Sequence, residues 1–143
     1  MAIGTRTSRL AHVLERAGLA TAGASCGLFV AAHLVRAGGP ELMSFGFVAL
    51  MMVGGAIGFY LGIDLPPRDR STAPGQPPAP GLDPVEVLSA LGTFLAPVAA
   101  LVSVVSIILD IDTRPAWALA IGLGWLAGVA MQIVAGLTAR FTR

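Results

Sequence analysis

The sequence predicts an all-α integral membrane protein whose four transmembrane helices form two antiparallel hairpins joined by a proline-rich cytoplasmic linker. Four apolar stretches, each about 20 residues long, match the length that a helix needs to cross the hydrocarbon core of a bilayer. None carries a charged residue except at its edges. A backbone in lipid must satisfy its own hydrogen bonds, so each stretch is expected to be helical. The four predicted spans are 17–35, 42–63, 87–109 and 116–137.

The composition leaves little of the chain for a soluble domain. Of the 143 residues, 55% are hydrophobic and 12% are charged, and the mean hydropathy is +0.81. The net charge is only +1, and no basic stripe with interleaved aromatic residues is present. We therefore expect the lipid bilayer as a partner and no nucleic acid. The single cysteine, Cys26, allows no disulfide within the chain.

The first span is expected to be a retained helix. Arg6, Arg9 and Arg16 precede an apolar run, as they would in a secretion signal. A cleavable signal has an apolar region of about 7 to 15 residues, whereas this one continues to Val35. Residues 8–16 are predicted to extend the helix into the membrane interface, with apolar side chains toward lipid and arginines toward the headgroups.

The starts of the later helices carry recognisable signals. Asp83 offers a carboxylate for the N-cap of the third helix, Pro84 stands at its first position, and Glu86 follows where a capping box places an acidic residue. Pro40 is predicted to open the second helix and Pro115 the fourth, because the missing N–H of proline costs nothing in the first turn.

The segment 64–84 divides the chain. It contains seven of the ten prolines, a composition typical of an extended linker without a packed core. We therefore assign 1–63 to the N-terminal segment and first hairpin, and 85–143 to the second hairpin and C-terminal tail. The linker is interpreted as a tether; the alternative is a docking strip for a cytoplasmic partner.

The arginines predict the orientation. With four crossings, the N-terminal segment, the linker and the C-terminal tail share one side, and only Arg36 and Arg114 lie on the other. Because short cytoplasmic segments are enriched in arginine and lysine, both termini are predicted to be cytoplasmic in a bacterial inner membrane. The arginines on the predicted cytoplasmic side are Arg6, Arg9, Arg16, Arg68, Arg70, Arg140 and Arg143.

Glycines spaced by four residues predict close helix packing. Gly54, Gly58 and Gly62 share one face of the second helix and form a groove that another backbone can enter. Two interpretations stay open. These stripes pack the four helices against one another, or at least one stripe, with Gly54, Gly58 and Gly62 as the first candidate, faces a second polypeptide. Similar glycines in the first and fourth spans are Gly23, Gly27, Gly124 and Gly128.

Chemistry within the spans is sparse. No carboxylate lies at the centre of any span, which counts against a proton-coupled transporter. His33 is the one titratable side chain inside a span and is interpreted as an interfacial bystander, not a metal or haem ligand. Asp110 and Asp112 are interpreted as part of a solvated loop with Arg114, although two aspartates could hold a divalent cation loosely.

Four polar residues form a candidate polar path. The amide of Gln132 should find a partner on another helix or line a small polar cavity. Pro97 frees the carbonyl of Thr93 and predicts a kink in the third helix. The residues of this candidate path are Thr93, Ser103, Ser106 and Gln132.

These observations favour a non-catalytic protein. The sequence shows no nucleophile–base pair, phosphate-binding loop or paired cysteines, so we predict no enzyme activity, cofactor or metal site. The first hypothesis is an inner-membrane protein that acts through helix packing, as an accessory subunit of a larger complex or as a homo-oligomer. The alternative is a small oligomeric channel or transporter for ions or small solutes. A lipid-modifying enzyme has only His33 and the two loop aspartates in its favour.

Overall fold

Four α-helices make up nearly all of the chain that the structure describes. This structure is a computed structural model, and it describes residues 3–38, 44–62, 83–111 and 114–141. All four helices are long and apolar enough to cross a membrane, which confirms the all-α prediction and suggests a multi-pass membrane protein. The helices are α1 (Ile3–Gly38), α2 (Phe45–Gly62), α3 (Pro84–Ile108) and α4 (Pro115–Phe141).

The predicted starts of α3 and α4 are confirmed. Asp83 has an extended backbone, and its carboxylate accepts a hydrogen bond from the Val85 amide over 3.0 Å. Pro84 is then the first helical residue. At α4, the carbonyl of Arg114 accepts from the amide of Trp117 over 2.9 Å, and Pro115 opens the helix. Most of the predicted linker, 64–82, lies outside the described residues.

The start of α2 differs from the prediction. Pro40 and the predicted first residue of the span, Leu42, lie outside the described residues, and the helix begins at Phe45. The hydroxyl of Ser44 accepts a hydrogen bond from the amide of Phe47 over 3.1 Å, which makes Ser44 the N-cap. The prediction rested on Pro40 and did not consider Ser44, although serine is among the preferred N-cap residues.

Helices α1 and α2 run antiparallel with their backbones in contact. A Cβ atom on Gly23 would overlap the carbonyl group of Gly55, and one on Gly55 would overlap the carbonyl of Gly23. Closer to the other end of α1, a Cβ on Gly27 would overlap the carbonyl of Met51. Because lipid tails are as apolar as leucine, such close van der Waals contact is a main source of attraction between membrane helices.

Helix α4 contacts α2 and α3 in the same manner. A Cβ on Gly62 would stand 2.8 Å from the Cα of Gln132, and one on Gly136 would overlap the Leu61 backbone. Against α3, a Cβ on Gly92 would stand 2.6 Å from the carbonyl oxygen of Gly128. These distances leave room for hydrogen but not for a methyl group, so glycine is required at all three positions.

The two ends of the helix bundle are held by different polar contacts. At one end, here called the Arg140 end, the Ser89 hydroxyl donates to the carbonyl of Gly62 over 2.6 Å, and Arg140 donates to the carbonyl of Leu61 over 3.0 Å. The last carbonyls of a helix have no partner within it, so α3 and α4 complete the end of α2.

At the opposite end, here called the Arg36 end, Arg36 of α1 donates to the carbonyl of Ile107 over 3.1 Å and forms an ion pair with Asp110. Asp110 adopts a φ of 51°, a left-handed conformation that aspartate tolerates better than most residues. The amide of Ile111 donates to the carbonyl of Ser106 over 3.1 Å, as in a Schellman motif. The backbone of Asp110 thus ends α3, and the side chain of Arg36 joins the end of α3 to α1.

A tryptophan fills the centre of the interior. Trp125 is 2% exposed, and its ring lies 3.5 Å from the position of a Cβ on Gly54 and 3.4 Å from one on Gly55. The central position of Trp125 was not predicted from the sequence. The other residues of the buried apolar cluster are Val30, Phe59, Ala96, Ala99, Ala100, Ile121 and Val129.

We expect Gly23→Ala to destabilise the bundle, since the added methyl group would overlap the Gly55 carbonyl. Overpacking of this kind costs about 1–3 kcal/mol. Gly18→Ala is the matched control in the same helix, because no atom lies within 4 Å of a Cβ there. That substitution should leave stability unchanged or raise it by up to about 1 kcal/mol. Thermal unfolding in detergent, followed by circular dichroism, measures both, and equal melting temperatures would contradict the contact.

Candidate functional site

The interior contains polar side chains on three of the four helices. Each is shielded from solvent, so each must find a partner inside the bundle or carry an energetic penalty. Their arrangement divides into a group near the Arg140 end, centred on Gln132, and a group near the Arg36 end, centred on His33. The buried polar residues are His33, Ser89, Ser103, Ser106 and Gln132.

Gln132 lies where α2, α3 and α4 meet. Its side chain is fully buried, and its Nε2 donates to the hydroxyl of Thr93 on α3 over 3.2 Å. The expectation of an interhelical partner is therefore confirmed. A Cβ on Gly58 would stand 3.0 Å from Oε1 of Gln132, and one on Gly92 would stand 2.9 Å from its Cγ. The amide thus occupies space that the glycines of two other helices leave open.

The carbonyl oxygen of this amide is less well satisfied. Within the described part of the chain, Oε1 of Gln132 has no hydrogen-bond partner. The same holds for the indole Nε1 of Trp125, two helical turns away on the same face of α4. These two atoms give the interior some unused capacity for hydrogen bonds.

The candidate polar path is not continuous. Ser103 and Ser106 each donate to a carbonyl of their own helix over 2.8 Å, at Ala99 and Val102. Such bonds are common in membrane helices and need no ligand. Ser103 stands ten residues beyond Thr93, about 15 Å along α3. The structure brings Thr93 and Gln132 together and places the two serines in the other half of the bundle, with buried alanines between.

His33 lies inside the bundle, a placement that the sequence-based interpretation as an interfacial bystander left open. Its side chain is 0% exposed, and among the described residues neither ring nitrogen has a hydrogen-bond partner. One turn later, Arg36 binds the carbonyl of Ile107. Since helices rise 1.5 Å per residue, this contact places His33 at the level of Ser103 and Ser106. A single histidine in an evenly apolar stretch gives no sign of which side it faces, so sequence reasoning missed its burial.

Of the two aspartates in the loop after α3, the structure explains the role of one. Asp110 forms its ion pair with Arg36 at the end of α3, whereas Asp112 lies outside the described residues. In the portion of the chain that the structure describes, no three His, Cys, Asp or Glu side chains form a group that could hold a metal ion.

The predicted packing glycines differ in how closely a neighbouring helix approaches them. Gly54 is in ordinary contact with the ring of Trp125, and Gly58 faces Val129 and Gln132, so this stripe lies against α4 of the same chain. Gly124 is different, because no atom lies within 4 Å of a Cβ built there. Five of the predicted residues leave too little room for a side chain: Gly23, Gly27, Gly58, Gly62 and Gly128.

We expect Thr93→Val to destabilise the bundle by about 1 kcal/mol, because it removes the acceptor for the buried Gln132 amide while preserving side-chain shape. Ser106→Ala is the matched control: its hydroxyl bonds only a carbonyl of its own helix, and its loss should change stability little. Unfolding in detergent compares the two. If both variants melt together, the Thr93–Gln132 bond does not join the helices.

The interior offers weak polar groups: an amide, hydroxyls, an imidazole and an indole. Among the described residues neither ring nitrogen of His33 is hydrogen-bonded to a hydroxyl, since Ser103 and Ser106 each donate to a carbonyl of their own helix. These groups can bind helices to one another or contact a small polar solute. Comparison of the chain with known protein families, with characterised proteins and with solved structures gave no match.

Proposed function

We propose that this is a small non-catalytic protein of the bacterial inner membrane that acts through helix packing, as an accessory subunit of a larger membrane complex or as a homo-oligomer. One observation carries the proposal: α4 keeps a small-residue face that no other helix covers among the described residues. Ala116 and Ala120 are exposed, and a Cβ on Gly124 would meet nothing within 4 Å. At spacings of four these three residues share one side of the helix.

The glycines that pack inside the bundle differ from the open face of α4. Four glycines already contact another helix of the same chain, and a side chain there would press against that helix: Gly23, Gly55, Gly58 and Gly62. The same kind of surface on α4 has no such neighbour in the described residues. A second helix, from another copy or another protein, would find there the close approach that the four helices already use among themselves.

Membrane insertion is supported by the outer surface of the bundle. Large apolar side chains stand exposed on every helix, among them Phe29, Leu50, Leu101 and Leu123, which are 43%, 69%, 63% and 64% exposed. A continuous apolar exterior would drive aggregation in water but suits the hydrocarbon of a bilayer. Trp117, 53% exposed near the start of α4, is placed as an interfacial anchor would be.

The proposed topology has both termini in the cytoplasm and two antiparallel hairpins, α1–α2 and α3–α4, joined by the segment 64–84. Arg16 and Arg140 both contact the last turn of α2 and therefore mark one end of the bundle. Arg36 lies at the other end. The excess of arginine in the N-terminal segment, linker and tail supports assigning the Arg140 end to the cytoplasm.

We expect Gly124→Leu to dissociate the assembly and leave a folded single chain, since leucine would hold the partner helix away. Gly46→Leu is the control, because Gly46 also has open space around it but lies on α2. Gly58→Leu should instead unfold the chain. The mass of the particle purified in mild detergent, together with its helix content, separates these effects. An unchanged mass for Gly124→Leu would exclude this face as the interface.

The second candidate is a small oligomeric channel or transporter. It is favoured by the buried polar atoms without partners among the described residues, on His33, Trp125 and Gln132. A solute passing between the helices could bond to these atoms in turn. If this function holds, proteoliposomes should show solute flux above empty vesicles, and Gln132→Leu should abolish it while Ser106→Ala leaves it intact. Flux that is equal in Gln132→Leu and the unmodified protein would exclude the Gln132 route.

A further inference from the structure

We propose that Arg16, Tyr60 and the apolar groove beside them form a binding site for one anionic phospholipid at the cytoplasmic leaflet. The inference rests on the membrane placement in the proposed function and adds a ligand to it. The evidence is the position of the Arg16 guanidinium, which lies at the end of a groove between α1 and α2. The groove is lined by Ala20, Ala56, Ile57, Tyr60 and Leu61 and has a volume of about 360 Å³.

The cation is held in place by the tyrosine. Nη1 of Arg16 donates to the hydroxyl of Tyr60 over 3.3 Å, and the guanidinium carbon lies 5.5 Å from the centroid of the Tyr60 ring. This contact combines a hydrogen bond with a cation–π interaction between α1 and α2. Arg16 is half-buried, so its charge has a defined position instead of moving freely in solvent.

The groove continues from the tyrosine along both helices. Ala20 lies one turn beyond Arg16 on α1, and Ala56 lies one turn beyond Tyr60 on the antiparallel α2. Each turn corresponds to about 6 Å of depth. Apart from Tyr60, all the lining side chains are apolar, and the two alanines are the smallest of them. An acyl chain lying here would contact apolar atoms while its headgroup stays level with Arg16.

The charge at this end favours an anionic lipid. Arg140 donates to the carbonyl of Leu61, so a second guanidinium lies at this end of the bundle. Guanidinium groups bind phosphate oxygens in a planar, bidentate manner. A zwitterionic lipid also has a phosphate, but its own cation compensates the charge, whereas an anionic headgroup keeps a net negative charge to pair with Arg16.

The test is a lipid titration of the full chain in mild detergent, measured by native mass spectrometry. The probes are phosphatidylglycerol and phosphatidylcholine with identical acyl chains. We expect tighter binding of phosphatidylglycerol, by about fivefold for one well-placed arginine. Equal affinities in the unmodified protein would overturn the proposal without any variant.

Variants separate the charge from the groove. Arg16→Gln should remove the preference for phosphatidylglycerol, and Arg16→Lys should keep most of it, which controls for a folding defect. Arg114→Gln loses the same charge at the other end of the bundle and should behave as the unmodified protein. Ala56→Phe should weaken binding of both lipids by filling the groove, whereas Ala130→Phe adds the same volume to an exposed position on α4 and should not.

Other outcomes overturn the lipid site in distinct ways. If Ala56→Phe splits a dimer and leaves lipid binding unchanged, the groove receives a second copy of the chain. If Arg16→Gln keeps the preference, the anionic lipid binds elsewhere. A chain recovered from membranes in an intact assembly, yet indifferent to headgroup charge, removes the lipid site and leaves the proposed function standing. A chain absent from the membrane fraction removes both.

Discussion

The close approach of helix backbones at glycine is the constraint on which the rest of this structure depends. In a bilayer, helices gain little from hiding apolar surface, so they associate where their atoms fit closely. Helix α2 shows this most clearly, because Gly55 meets the backbone of α1 while Gly58 and Gly62 meet α4. Two neighbouring helices are thus brought against a helix that carries glycine at the points of closest approach.

The buried polar groups follow from that packing. Gln132 can enter the interior because Gly58, Gly62 and Gly92 leave space around its side chain, and it then joins α4 to Thr93 of α3. The end of α2 is completed by donors from other helices, Ser89 and Arg140, which can reach it only when the backbones are close. In this bundle the hydrogen bonds between helices therefore depend on the close apolar packing, and a substitution at a glycine should weaken both.

The existence of the helices could be predicted from the sequence, whereas the direction in which most of them face could not. Length and hydropathy locate four spans, and Asp83 with Pro84 marks the start of α3, because these signals are local. The facing direction is a different matter: a helix that is apolar all round has no polar stripe to show its outer side. For this reason the burial of His33 between the helices was not predicted, and Gly124 was grouped with packing glycines but meets no other helix in the described residues. The partner of Gln132 was foreseeable in kind, since a buried amide needs one, but its identity as Thr93 depends on how α3 and α4 meet.

The central claim is that a small-residue face left open on α4 serves assembly with another helix. The most direct test is to purify the unmodified protein from membranes in a mild detergent, measure the mass of the particle and identify every chain in it. The account predicts a particle larger than the 14.6 kDa of one chain. It should contain either several copies or a stoichiometric partner. A homogeneous particle holding a single copy, with no other protein bound, would contradict the account.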